Sequence, residues 1–160
     1  MEISVRVYGL YITGNNELLV SDEYIRGGYY TKLPGGGLET GEGTRDCLKR
    51  EFKEELNADI EVLDHVYTTD FYQPSAFSNT SQILSIYYTV KLLKPLSVNI
   101  RKEKFDFTEA ELEMYNTTKS IEAFRMIPLS DLKVDDMTLP IDKVVIKQLL
   151  SSLENNKNHV

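Results

Sequence analysis

Gly35-Gly36-Gly37-Leu38-Glu39-Thr40-Gly41-Glu42, followed after seven residues by Arg50-Glu51-Phe52-Lys53-Glu54-Glu55-Leu56, is the stretch on which the chain's reading turns. Pro34 and the three glycines stop a short β-type run, Tyr29 to Leu33. From Thr44 the apolar period becomes helical through Cys47, Leu48, Phe52 and Leu56, and Asn57 can close such a helix in the left-handed conformation. Each helical residue turns about 100°, so Glu54 and Glu55 lie at about 300° and 40° from Glu51, beside a core face at about 60° to 140°. Carboxylates one turn apart repel by roughly a few tenths of a kcal/mol per pair. A divalent cation turns that repulsion into ligation, and oxygen-only donors select Mg²⁺ or Mn²⁺ over zinc or copper. Arg50, at about 260° on the same wheel, can clasp Glu42 bidentately and fix the loop to the helix. Cys47 reads as a small core filler.

Outward from this stretch, Ile3, Val5 and Val7 alternate with Ser4 and Arg6 in a first strand running to Ile12. Thr13-Gly14-Asn15-Asn16 is turn chemistry, with Glu17 to Val20 the return strand of a hairpin. Ile60 to Phe71 and Ile83 to Leu93 read as two long strands around a polar loop from Gln73 to Gln82. A short acidic helix is expected near Thr108 to Tyr115, then a late strand over Ala123 to Leu129. Leu139-Pro140 opens a closing helix with Ile141, Val144, Val145, Gln148, Leu149 and Leu153 at the 3.6 period, and Glu154 to Val160 read as polar and frayed. Strands interleaved with helices predict an α/β fold, a mixed sheet covered by helices. One domain over residues 1–154 with a polar tail over 155–160 is expected, because no repeat or composition shift marks a second.

With 18 basic against 25 acidic residues, the formal charge is −7. No Lys/Arg cluster offers a nucleic-acid surface, so no nucleic-acid partner is expected, whereas a small anion chelated by metal remains compatible. No apolar run is long enough to span a bilayer, and no membrane partner is expected. Met1 to Arg6 alternates as a strand and lacks the basic-then-apolar layout of a signal peptide. With a single cysteine, this predicts a cytoplasmic location.

The central stretch resembles the Nudix box, G-x5-E-x7-R-E-U-x-E-E-x-G-U with U a bulky aliphatic residue, over Gly36 to Ala58. Every charged position is present: Glu42, Arg50, Glu51, Glu54 and Glu55. Asn57 stands where the family has Gly, and Phe52 and Ala58 replace the usual aliphatic residues. The resemblance implies a Nudix-like α/β/α sandwich with a mixed β-sheet. It also implies Mg²⁺-dependent (or Mn²⁺-dependent) hydrolysis of a phosphoanhydride in a nucleoside diphosphate linked to another moiety. It assigns Glu51, Glu54 and Glu55 as metal ligands, Arg50 as their orienter and Glu42 as a loop brace or further ligand. Gly36 and Gly37 shape the loop.

Many members of that family take a further carboxylate from beyond the long strands. Candidates here are Glu103, Glu109, Glu111, Glu113 and Glu122, with Glu122, just before the late strand, the first to consider as a catalytic residue. Phe71-Tyr72-Gln73-Pro74-Ser75 is similar to a segment of ADP-ribose pyrophosphatases, and a (deoxy)nucleoside triphosphate is the second substrate option. Two rivals stand beside the hydrolase: a Nudix domain that senses a nucleotide without cleaving it, expected to have lost box carboxylates, and an isoprenoid-diphosphate isomerase, which needs a loop cysteine. Homodimerisation, through a strand or the segment from Lys94 to Glu122, is left open.

Overall fold

The computed structural model describes residues 1–158. Two compact units are recognisable: Met1–Leu19 with Leu33–Asn99, and Val20–Lys32 with the chain from Ile100 onward. The first unit is built on a four-stranded sheet in the order β4-β1-β6-β5, with β1 Glu2–Leu10, β4 Gly35–Gly37, β5 Ile60–Thr68 and β6 Ser81–Leu92. It is mixed: β1 runs antiparallel to β4 and parallel to β6, and β5 runs antiparallel to β6. Helix α1, Thr44–Leu56, covers one face with Cys47, Leu48, Phe52 and Leu56, all fully buried.

The expected hairpin between the first two strands forms only at its tip. Thr13 N–H donates to Glu17 O and Leu19 N–H to Tyr11 O, with an isolated bridge between Ile12 and Leu18. Along its body β1 has both edges taken by β4 and β6, so no edge remains for a return strand. The two long strands do pair, but β6 starts at Ser81, and the preceding segment is less of a free loop than expected, since Pro74 bridges Gln82.

In the second unit the sheet order is β3-β2-β8-β7, with β2 Glu17–Ile25, β3 Gly28–Lys32, β7 Ile100–Arg101 and β8 Ser120–Pro128. Its charged interior was not foreseen. Asp22, 1% exposed, accepts from Arg125 Nε and Nη2 at 2.7 and 3.0 Å and from the Thr31 hydroxyl at 2.7 Å. Two aligned donors and a hydroxyl satisfy a carboxylate that burial alone would penalise. Helix α2, Glu109–Thr118, buries none of its residues. It is tied down by Tyr115, which stacks on Tyr24 at 3.8 Å and accepts from Gly27 N–H at 2.7 Å. Helix α3 runs Pro140–Lys157, past the point where fraying was expected. It buries Ile141, Asp142, Val145 and Ile146, whereas Gln148, expected on the core face, is exposed.

Candidate active site

The glycine run is the antiparallel edge strand β4, and β1 excludes a side chain from its first residue. Gly35 has φ +147°, and a Cβ there would collide with the Val7 carbonyl oxygen. At Gly36 a Cβ would stand within 2.5 Å of both carboxylate oxygens of Glu51, so the missing side chain is the seat of that carboxylate. Gly37 offers its carbonyl oxygen to Arg50 Nη2 at 3.0 Å.

Helix α1 begins where Gly43 N–H meets the Asp46 carboxylate at 3.2 Å. It ends at Asn57, φ 49° and ψ 34°, where Asn57 N–H donates to Lys53 O and Ala58 N–H to Phe52 O. Between these caps Arg50 gathers the charged positions of the box. Its Nε and Nη2 donate to Glu42 Oε2 and Oε1 at 3.0 and 2.7 Å, the bidentate clasp its spacing anticipates. Its Nη1 donates to Glu51 Oε1 at 3.0 Å and to Glu54 Oε2 at 3.2 Å. Glu51 is mostly covered, whereas Glu54 is 58% exposed. Glu55 is half-buried on the same helix.

The electrostatics follow from this packing. The Arg50 guanidinium and the Glu39 backbone N–H hold the Glu42 carboxyl down to about 2. Arg50 is raised above its ordinary range chiefly by Glu42, then Glu51. Burial, reinforced by Glu42, pushes the Cys47 thiol up to about 12. That thiol donates to Gly37 O at 3.5 Å and has no exposed surface, as befits a core filler.

Glu39, to which no role was given, is also drawn in: its Oε2 lies 3.6 Å from Arg50 Nε and its N–H donates to Glu42 Oε1 at 2.9 Å. The signal for it was its place three residues before Glu42, the reach of one tight turn. Glu122 belongs to the other unit. It sits within β8 and not before it, because Lys119, in the left-handed conformation, ends α2 and the strand starts at once. The Ser21 hydroxyl is 3.4 Å from its carboxylate.

Among the described residues no three His, Cys, Asp or Glu side chains converge as a ready-made metal cluster. Arg50 accounts for part of this, since it engages Glu51 and Glu54 together. The donor set nevertheless fits a hard divalent cation: Glu51, Glu54 and Glu55 are oxygen donors on one helix, and Gly36 leaves room for the Glu51 carboxylate.

A glycine strand thus packs against a helix whose carboxylates share one arginine, on an α/β fold. The NUDIX domain profile matches residues 3–149, and the chain belongs to the Nudix family. Solved structures agree on the fold. The chain is similar to the Escherichia coli ORF135 protein (14% identity, TM-score 0.66, 94% of this chain and 91% of that one). It is equally similar to a NUDIX hydrolase from Nitrosomonas europaea (16% identity, TM-score 0.66, 94% and 90%). An ADP-ribose pyrophosphatase from Streptococcus suis 89-1591 follows the same course (19% identity, TM-score 0.57, 96% and 91%). No curated protein matches the sequence significantly. No helix among the described residues is long and apolar enough to cross a membrane.

Proposed function

We propose that this chain is a divalent-metal-dependent pyrophosphohydrolase that cleaves a phosphoanhydride in a nucleoside diphosphate linked to a further group, working as one cytoplasmic domain. The observation that carries the reading is Arg50, whose guanidinium joins Glu42, Glu51 and Glu54 within 3.2 Å. Glu51, Glu54 and Glu55 would hold Mg²⁺ or Mn²⁺. When bound, the cation supplies charge neutralisation at phosphoryl oxygens and an acidified water.

The protein's own share is positional. Glu42 keeps its charge on Arg50, and Arg50 holds Gly37 O, so loop and helix are fixed to one another. Arg50 also sets the Glu51 and Glu54 carboxylates side by side. Were Glu51 and Glu54 to hold a cation, the Arg50–Glu42 clasp would still tie the helix to the loop. Glu122 is the candidate for the further carboxylate. The substrate is an ADP-ribose-like nucleoside diphosphate derivative or a (deoxy)nucleoside triphosphate. The first option rests on the Phe71-Tyr72-Gln73-Pro74-Ser75 segment. A relative at 19% identity carries the fold and leaves the substrate to experiment.

The test is phosphate release, coupled to a phosphatase, from ADP-ribose, NDP-sugars, dinucleoside polyphosphates and normal or oxidised dNTPs with Mg²⁺. One preferred substrate is expected, with Glu54→Gln slower by on the order of 10²- to 10³-fold. Ligand binding without turnover by the native chain would instead make it a nucleotide sensor.

A further inference from the structure

The glycines of β4 answer to different constraints. Gly35 is fixed by its φ of +147° and the Val7 carbonyl, and Gly36 by the Glu51 carboxylate. Gly37 answers to neither. Its φ lies outside the left-handed region, so its backbone does not call for glycine. Apart from its chain neighbours, only Arg6 Nη1 among the described residues comes within 4 Å of where its Cβ would stand, at 3.7 Å. That is an ordinary contact distance, and alanine would fit. What the missing side chain keeps is open space with a guanidinium on one wall.

Pleating decides which face this is. Val7 is fully buried and a Cβ on Gly9 would meet the Phe52 ring, so the odd positions of β1 face α1. Arg6 and Tyr8 therefore face away from the helix. Gly36 is the cross-strand partner of Val7, and Gly37 that of Arg6. The glycine strand thus carries the Glu51 carboxylate on one face and the Arg6 guanidinium on the other, at Cα positions about 3.8 Å apart. Consecutive phosphates of one substrate can cover that separation around the outer edge of β4.

Arg6 is also held in a set direction. It is half-buried on an inner strand, between β4 and β6, where a branched apolar residue is the ordinary choice. Its Nε donates to the Tyr8 hydroxyl at 2.6 Å, and Tyr8 is buried against Tyr87 with ring centroids 5.4 Å apart. A hydroxyl orients the guanidinium fork without neutralising it, and that fork suits phosphate oxygens. Other cations of this unit are committed elsewhere. Arg50 donates from every guanidinium nitrogen to box carboxylates or Gly37 O, Arg45 donates to Val62 O, and Lys53 and Lys94 pair with Asp59.

We infer that Arg6 contacts a substrate phosphate, the one next to the phosphate at Glu51, within the space that Gly37 keeps open. The inference rests on the pyrophosphohydrolase reading and adds to it a residue from outside the box.

Two readouts test it: KM and kcat on the preferred substrate of the phosphate-release panel, and calorimetric affinity for methylenediphosphonate, an uncleavable diphosphate, with Mg²⁺. Arg6→Gln should raise KM and weaken diphosphonate binding about tenfold or more, and Arg6→Lys should recover part of both, since it keeps the charge and loses the fork. Gly37→Ala leaves Arg6 in place and should raise KM and weaken binding severalfold by filling the space. An Arg6 that serves only to hold Tyr8 would lower Tm in Arg6→Gln and leave KM and diphosphonate affinity unchanged, which overturns the proposal. A native chain that binds no diphosphonate up to about 10 mM overturns it as well. Should Arg6→Gln fail to fold, Gly37→Ala decides, and native values of KM and affinity in that variant count against the contact. A native chain without turnover that still binds diphosphonate through Arg6 overturns the hydrolase reading and upholds the phosphate contact.

Discussion

Arg50 donates from all three guanidinium nitrogens, and Glu42 receives two of those bonds along with the Glu39 N–H. The Glu42 carboxyl thus titrates near 2 in the folded chain against an ordinary 4.5. Because the native state binds this proton more weakly than the unfolded chain, the stabilisation is complete above about pH 4.5 and lost as pH falls towards 2. Thermal melts across that window should show the native chain losing stability more steeply than Glu42→Gln; parallel slopes would contradict the clasp. Cys47 makes the opposite case for inertness. With its thiol pushed to about 12 by burial and then by Glu42, almost no thiolate exists near neutrality. Iodoacetamide at pH 8 should alkylate the native chain roughly a thousandfold or more slowly than the urea-unfolded one, read by mass spectrometry. Both residues were legible in the sequence for the same reason: their partners lie within one or two helical turns, or one short loop, where spacing alone fixes geometry.

At the scale of elements, α1 was legible from end to end because each of its signals is local: a change to the 3.6 period at Thr44, four apolar residues on one stripe, and Asn57 to close it. Asn57 pays for its φ of 49° as few other non-glycine residues would. Asn57→Gly, the residue the Nudix box carries at this position, should therefore leave stability unchanged or slightly raised. Asn57→Ala should cost about 1 kcal/mol in urea-melt midpoint and slope analysis. Equal stability in the two variants would mean that the left-handed turn is not what ends the helix. Strands were less legible than this helix. Alternation detects that Ile3, Val5 and Val7 form a strand, yet it carries no information on which neighbour takes each edge, so β1 was matched to the nearest strand in sequence. Glu122 shifted from a loop into β8 for a related reason: Lys119 is not a residue whose left-handed conformation a sequence announces.

Across the whole molecule, the α/β class could be read from strands alternating with helices, and the family from 23 residues. The division into two four-stranded sheets could not, since it depends on pairings far apart in the chain. The Asp22–Arg125 pair, 103 residues apart, has no spacing for a sequence to display. The carboxylates of the box raise a question of linkage that the whole chain answers. Glu51 and Glu54 are held by one arginine beside a half-buried Glu55, so bringing these charges together costs stability that a divalent cation would return. A ligand that binds only the folded chain stabilises it by about 2.7 kcal/mol at a hundred times its Kd. For a chain of this length that corresponds to a rise of roughly 5–10 °C in Tm. Mg²⁺ titrated against a KCl series of equal ionic strength should produce this rise in the native chain, EDTA should reverse it, and Glu54→Gln should flatten it. The readout needs no substrate, so it tests the metal site apart from the reaction. An unchanged Tm in the native chain up to about 20 mM Mg²⁺ would place Kd above the range in which these carboxylates could serve as a resident site.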